Sequence, residues 1–244
     1  MALFISLEGG EGSGKTTQVE RLTDSLTKLG ISTLKIHEPG YTELGDHIRH
    51  LIKSRPWGGV TISPTAELFL FAASRAELVS KVLAEQAKNP HLVIVADRYA
   101  DSTVAYQGYG RQMPVELVEA VNHLATGGLM PHKTFLLDCP PGQGLRRVEV
   151  QTHLFDMTSA GRTDEDGSRR FEDEPLSFHE RVHTGYLKLA DREPERWEVI
   201  DALADPDEVF QRIWNVIARM DEFQRIMSQI RDAPVLFGSY GNGS

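Results

Sequence analysis

The chain has 244 residues, 40% of them hydrophobic and 25% charged, the balance of a soluble globular fold with room for a substantial core. A net charge of −9 excludes a broad nucleic-acid-binding face, although a small anionic ligand can still bind where Lys and Arg gather locally. The single cysteine, Cys139, excludes an internal disulfide framework; it ends an apolar run and reads as a buried structural thiol in a reducing compartment. Met1 leads straight into a strand with no signal peptide, and no apolar run approaches the roughly 20 residues of a membrane span, so a cytoplasmic protein is expected.

The first apolar run, 3–7, reads as a buried strand. Directly after it comes Gly9-Gly10-Glu11-Gly12-Ser13-Gly14-Lys15-Thr16, which fits G-x-x-x-x-G-K-[ST] between a strand and a helix-forming segment. Four glycines let the backbone curl so that several N–H groups converge on a phosphate, and the helix starting near Lys15 adds its positive end. Lys15 is placed to reach the β/γ-phosphates of a nucleotide and Thr16 to hold Mg²⁺. The ATP-phosphate residues are therefore Gly9, Gly10, Glu11, Gly12, Ser13, Gly14, Lys15, Thr16 and Thr17.

Further strands are expected at 33–36, 92–96, 134–138 and 197–200, and helices at 15–29, 43–54, 64–88, 114–126, 142–153, 175–191 and 206–220. Proline at or near several helix starts and Gly30 after the first helix support these bounds. The alternation predicts an α/β fold: a five-stranded parallel sheet flanked by helices. Two regions break it. The stretch 158–174 is polar, with Gly161 and Gly167, and reads as a mobile loop; beyond Met220 an amphipathic segment (Phe223, Ile226, Ile230) leads into a Gly/Ser-rich tail. The expected organisation is one domain over 1–220, with a lid at about 154–174, and an extension with a flexible tail over 221–244.

Asp97-Arg98-Tyr99 follows the third strand, where open α/β sheets bind ligands. Asp97 can supply a carboxylate near Mg²⁺, and Arg98 a fork for a phosphate, with Tyr106, Gln107 and Arg111 close behind. Along 64–88, Leu68, Ala72, Ala76, Val79 and Leu83 share one face, expected to pack on the sheet. Phe71 and Arg75, four apart on a neighbouring face, are expected to point at one space, a ring to stack a base and a guanidinium to meet its carbonyl.

The ordered motifs resemble the thymidylate kinases of the bacterial type, members of the P-loop nucleoside monophosphate kinases, over about residues 3–219. They are the phosphate loop, Glu38-Pro39-Gly40 with Leu44-Gly45 and Ile48-Arg49, Leu70-Phe71-Ala72-Ala73-Ser74-Arg75, and Asp97-Arg98-Tyr99 through Ala105-Tyr106-Gln107-Gly108. Arg170-Phe171-Glu172, Phe178 with Arg181-Val182, and Gly185-Tyr186 continue the series. The resemblance implies the P-loop NTPase fold, Mg²⁺-dependent transfer from ATP to dTMP in dTTP biosynthesis, and a homodimer with no nucleic-acid or membrane partner. It implies that Phe71 stacks on thymine, Arg75 donates to its 4-carbonyl, and Arg98 binds the monophosphate. Thr103 and Gln107 would lie near the base, Tyr106 would crowd the 2′ position, Glu11 would face the 3′-hydroxyl side, and Pro39 would pack on the nucleotide.

Two positions depart from the family pattern: His37 where it usually has Arg, and Tyr41 where it has a second Gly. The loop between Gln151 and Arg169 is also longer than usual. One class of the family carries a basic side chain in the phosphate loop where this chain has Gly12, so the missing charge is expected from a lid arginine, Arg170 first, Arg162 or Arg169 second. Because a phosphate monoester has a second pKa near 6, the acceptor is already nucleophilic, and catalysis reduces to positioning and neutralisation by Mg²⁺, Lys15 and arginines. Three rivals are weaker. His179-Glu180-Arg181-Val182-His183 fits a zinc-protease pattern but lacks its extension; Asp164-Glu165-Asp166-Gly167 fits a switch motif but not after a strand. A deoxynucleoside kinase would need a base, for which Glu11 is the candidate, and would leave Arg98 unexplained.

Overall fold

The computed structural model describes residues 1–53, 61–158 and 170–232. Strand β1 (Leu3–Glu8) is buried along its whole length, leads through the glycine loop into helix α1 (Lys15–Lys28), and is followed by β2 (Ser32–His37) and α2 (Glu43–Lys53). Next come α3 (Pro64–Leu78), a π-helical stretch (Val79–Leu83) and α4 (Ala84–Gln86), then β3 (Leu92–Asp97). Helix α5 (Ala100–Thr103) runs into a second π-helical stretch (Val104–Gly110), followed by α6 (Val115–Thr126), β4 (Lys133–Asp138) and α7 (Pro141–Thr158). The chain continues through α8 (Leu176–Arg192), β5 (Trp197–Asp201), α9 (Pro206–Ile217) and α10 (Asp221–Asp232).

All five strands are parallel, in the order β2-β3-β1-β4-β5. The expected sheet is therefore observed, each strand within about a residue of its expected bounds. The crevice opens where the chain order reverses, at the carboxyl end of central β1. Register decides what meets there: Leu7 pairs with Asp97, and His37 pairs with Asp97 from the other side, so the glycine loop, Asp97-Arg98 and Glu38-Pro39 converge.

The period of two along β1 sends Leu3, Ile5 and Leu7 to one core, with Val19, Leu22 and Leu26 of α1 and Ile213 and Ile217 of α9. Phe223 and Ile226 of α10 are buried in the same cluster, so the amphipathic segment beyond Met220 closes the core rather than trailing from it. Burial of those two side chains contributes roughly 1.5–3 kcal/mol each. The opposite face of β1 carries Ser6 and Glu8, both buried, and that polarity inside a hydrophobic strand is explained at the site.

Three expectations for the helices are corrected. The segment 64–88 is not one α-helix: Leu78 and Leu83 are both fully buried five residues apart, a spacing a π-turn keeps on one face and an α-helix does not. Ala76 is exposed and Ala72 half-buried; the inward face of α3 is Glu67, Leu68, Ser74, Arg75 and Leu78. Arg75 is turned inward because its guanidinium pairs with Glu38 beneath the sheet end, which also removes it from the face it was expected to share with Phe71. Helical structure over 100–110 is not visible in the local sequence, whose glycines and β-branched residues disfavour it; packing against α8 supplies it. Of the expected lid, the part over 159–169 lies outside the described residues, as does the tail beyond 232.

Candidate active site

The glycine loop has the curvature expected of it. Gly9, Gly12 and Gly14 have φ of 144°, 66° and 88°, and Gly14 forms the left-handed cap of α1. Lys15 Nζ donates to Gly10 O at 2.6 Å and to Ser13 Oγ at 3.2 Å, folding the ammonium back over the loop. Burial and the neighbouring Arg98 pull the Lys15 pKa down to about 8, so the loop is short of negative charge, which a phosphate supplies. Thr16 Oγ1 donates to Asp97 Oδ2 at 2.7 Å, joining the two expected magnesium residues across 81 positions of sequence. Two hard oxygen donors of this kind suit Mg²⁺.

Two cavities meet at this loop. The first, about 250 Å³, is lined by Glu11, Pro39, Phe71, Thr103, Tyr106 and Gln107, with Arg98, Arg49, Lys53, Lys15 and His37 as its basic side chains. The second, about 670 Å³, runs along Ser13–Gln18 to Arg146, Arg147 and the start of α9. They share Gly12, Lys15, Thr16 and Val148. An anion in each would face the other across Lys15.

Arg98 stands on the wall of the first cavity at φ 70°, a left-handed conformation that costs an L-residue about 1 kcal/mol. Its neighbours explain how that is held. Nη1 donates to Gly9 O at 2.8 Å and to Tyr186 Oη at 3.0 Å, Nη2 donates to Tyr106 Oη at 3.1 Å, and the guanidinium lies 5.1 Å from the Tyr106 ring centroid. Burial opposes its charge, yet the oxygens of Tyr106, Tyr186, Glu11 and Glu8 outweigh that and raise the Arg98 pKa. Beneath it, Glu8 accepts from Ser6 Oγ (3.0 Å), Tyr99 N (2.7 Å), Ser102 Oγ (2.5 Å) and Tyr186 Oη (3.1 Å). Burial first, and Asp101 second, push Glu8 up to about 7. Ser6 and Glu8 thus form the floor that fixes the 98–102 turn.

Glu11 accepts from Tyr106 Oη at 2.6 Å, and its other oxygen lies 3.3 Å from His179 Nδ1 without hydrogen-bond alignment. Burial would raise its pKa; His179, Arg98, Lys15 and Tyr106 overcome it and hold Glu11 at about 2. Gly12 is explained by packing: a Cβ there would stand 2.1 Å from Gly144 O at the start of α7, so no basic side chain fits.

The thymidylate kinase family model matches residues 7–213. Thymidylate kinases of Syntrophotalea carbinolica and a Synechococcus species (strain JA-2-3B'a(2-13)) are 45% and 46% identical over 214 and 215 residues, covering 88% of this chain and 94% of each relative. A crystal structure of thymidylate kinase from Ehrlichia chaffeensis superposes with a TM-score of 0.66 at 26% identity, covering 88% of this chain and 98% of that one. The chain belongs to the thymidylate kinase family. It is accordingly a phosphotransferase of the P-loop α/β fold, and the family's reaction is ATP-dependent phosphorylation of dTMP to dTDP.

Set against the family's chemistry, the expected substrate residues Glu11, Pro39, Phe71, Arg98, Thr103, Tyr106 and Gln107 all reach the first cavity. Arg75 does not. It is 1% exposed, with Nε and Nη2 on Glu38 Oε2 (2.8 and 2.5 Å) and Nη1 on Asn122 Oδ1 (2.8 Å). Arg170 is not among the phosphates either: Nη1 donates to Ile52 O at 3.0 Å, Nη2 pairs with Glu67 Oε2, and the guanidinium covers the Phe171 ring. Arg162 and Arg169 lie outside the described residues. The two departures from the family pattern touch one another: the rings of His37 and Tyr41 meet edge-on at 6.3 Å, and Tyr41 sits at φ 75°, where glycine would be unstrained.

Several residues here were given no role in this site by the sequence: Glu8, Arg49, Glu67, Arg146, Arg147, His179 and Tyr186. Arg146 and Arg147 had a readable signal, two adjacent arginines on α7, the helix that follows β4. The zinc-protease pattern dissolves in three dimensions. His179 turns to Glu11, whereas His183 Nε2 meets Asp138 at 2.6 Å. Among the described residues no group of three or more His, Cys, Asp or Glu could hold a metal.

Proposed function

We propose that this chain transfers the γ-phosphoryl group of ATP to dTMP, giving ADP and dTDP, with the 250 Å³ cavity as the acceptor site and the larger one as the donor site. The observation that carries the assignment is the meeting of the two cavities at Lys15 and Thr16 with Arg98 on the acceptor side. In it Phe71 stacks on thymine, Thr103 and Gln107 meet the base edge, Pro39 packs on the nucleotide, and Tyr106 crowds the 2′ position. Arg98, with Arg49, binds the monophosphate. Thr16 and Asp97 would hold Mg²⁺, which would supply charge neutralisation for the transfer.

The acceptor needs no general base, because its phosphate is already a dianion near pH 7. Glu11, held at about 2, would also be a poor base, which disfavours a nucleoside hydroxyl as acceptor. Its role is to fix Tyr106 and the sugar. Lys15 bridges the phosphates from its folded-back position. Arg170 is the lid charge of this reading, leaving Glu67 for the transferring group when both nucleotides are bound, while Arg146 and Arg147 border the donor nucleotide. A homodimer is supported by the exposed Leu51, Phe69, Leu117 and Leu124 on neighbouring helices α2, α3 and α6. Among the described residues no helix is long and apolar enough to cross a membrane, and the reading is of a cytoplasmic enzyme.

ADP release measured with dTMP, dUMP, dCMP, ribothymidine monophosphate and thymidine tests the assignment, with dTMP expected as the best acceptor and Mg²⁺ required. Preference for thymidine over dTMP would overturn the monophosphate site.

A further inference from the structure

We propose that Glu67 sets the pyrimidine specificity of the acceptor site by fixing which end of the Gln107 amide meets the base. Glu67 lies one helical turn before Phe71 on α3, with no exposed surface. Its Oε1 receives Gln107 Nε2 at 2.8 Å and Arg111 Nε at 3.1 Å; its Oε2 receives Arg111 Nη2 at 3.2 Å and pairs with Arg170 Nη2. Arg111 alone donates to both of its oxygens, so both are already accepting whether or not Arg170 is in place. A carboxylate oxygen cannot donate, so the nitrogen of the Gln107 amide must face Glu67 and the carbonyl must face away.

That carbonyl is the informative atom. Gln107 is completely buried, borders the acceptor cavity, and its Oε1 has no hydrogen-bond partner in the protein. A buried acceptor left unpaired is costly, and a ligand N–H removes the cost. Thymine and uracil carry N–H at ring position 3; cytosine carries a bare acceptor nitrogen there, which would oppose Oε1 with two lone pairs. Discrimination then originates in Glu67, which touches no substrate: it is a positioning residue acting through Gln107. The inference rests on the reading of this cavity as the pyrimidine nucleotide site.

The test is the ratio of kcat/KM for dTMP over dCMP in the full-length protein. In Glu67→Gln the new amide can offer either end, Gln107 is free to turn over, and the ratio should fall about ten- to a hundredfold, chiefly through KM for dTMP. Adding Gln107→Met to Glu67→Gln should cost no further selectivity. A merely structural role would lower both nucleotides alike and leave the ratio unchanged, which overturns the inference. Because Glu67→Gln leaves two arginines short of a partner and could fail to fold, Gln107→Met alone, which keeps those ion pairs, is the second variant. It must lose the same selectivity, and a wild-type ratio there also overturns the inference. Wild-type protein that does not phosphorylate dTMP would overturn the reading of the site and this inference together, whereas normal turnover with unaltered variant ratios overturns the inference alone.

Discussion

Replacing Gly12 by alanine adds a single carbon where the phosphate loop leans on α7. At φ 66° an L-residue is strained by about 1–2 kcal/mol before any contact is considered. The added Cβ would then lie 2.1 Å from Gly144 O and 2.7 Å from Gly144 C, where real Cβ contacts stay beyond 3.0 Å. Loop and helix must separate by roughly 1 Å, since both partners are backbone and neither can rotate away. The same loop carries Lys15 folded onto Gly10 O at 2.6 Å and Thr16 on Asp97 at 2.7 Å, so the shift moves the groups proposed to position the donor phosphates. A misplacement of that size costs about a hundredfold in rate. Gly12→Ala should therefore lower kcat by about that factor and depress the melting temperature, with a smaller rise in KM for dTMP, because Glu11 moves with the loop while Phe71 and Gln107 sit on other elements. Gly12→Arg should do no better, although it introduces the charge that one class of the family carries there. Coupled ADP release at saturating substrates and a thermal melt measure both effects. An alanine variant within threefold of wild-type kcat, melting at the wild-type temperature, refutes the packing argument.

Removing the Thr16 hydroxyl (Thr16→Ala) should raise the Mg²⁺ concentration for half-maximal rate about 10–100-fold, read from magnesium titrations of turnover. Arg170→Ala should lower kcat with KM for dTMP unchanged, while Arg146→Ala should raise KM for ATP about tenfold; wild-type kcat in Arg170→Ala would place the lid charge elsewhere. Glu8 makes a prediction about pH. Its carboxyl is raised from 4.5 to about 7 in the folded protein, so between those values the native state keeps a proton that the unfolded chain has released. Its contribution to stability is present below about pH 4.5 and is lost as pH rises to about 7, a change of roughly 3 kcal/mol. Glu8→Gln has no such proton to lose; its Oε1 can still accept from Tyr99 N, and the Ser102 and Tyr186 hydroxyls can reverse. Denaturant unfolding should show the variant gaining stability relative to wild type between pH 5 and pH 8, and an equal difference at both would refute the assignment.

Much of this enzyme is legible along the chain because its signals are local. A strand, a glycine-rich turn and a helix start are contiguous, and their spacing alone implies backbone N–H groups, a lysine and a hydroxyl around one phosphate. Five short apolar runs separated by helical lengths imply parallel strands, and Asp97-Arg98 at a strand end implies a place in the crevice. Phe71, Tyr106 and Gln107, singled out along the chain, line one cavity.

The errors share a cause. Helical periodicity places Arg75 beside Phe71, but it cannot register that Glu38, 37 residues away, pulls the guanidinium beneath the sheet end. It cannot show that Glu67, an unremarked acid near a helix start, gathers Gln107, Arg111 and Arg170 from 40, 44 and 103 residues away. Nor does a β-strand pattern reveal that Ser6 and Glu8 are the floor beneath Arg98. From its sequence alone the chain determined a glycine loop between strand and helix, a parallel α/β sheet and a kinase family, all written in contiguous or regularly spaced residues. Tertiary structure decided which charges are spent on one another, because buried ion pairs such as Arg75 with Glu38 form between elements that only the completed fold brings together.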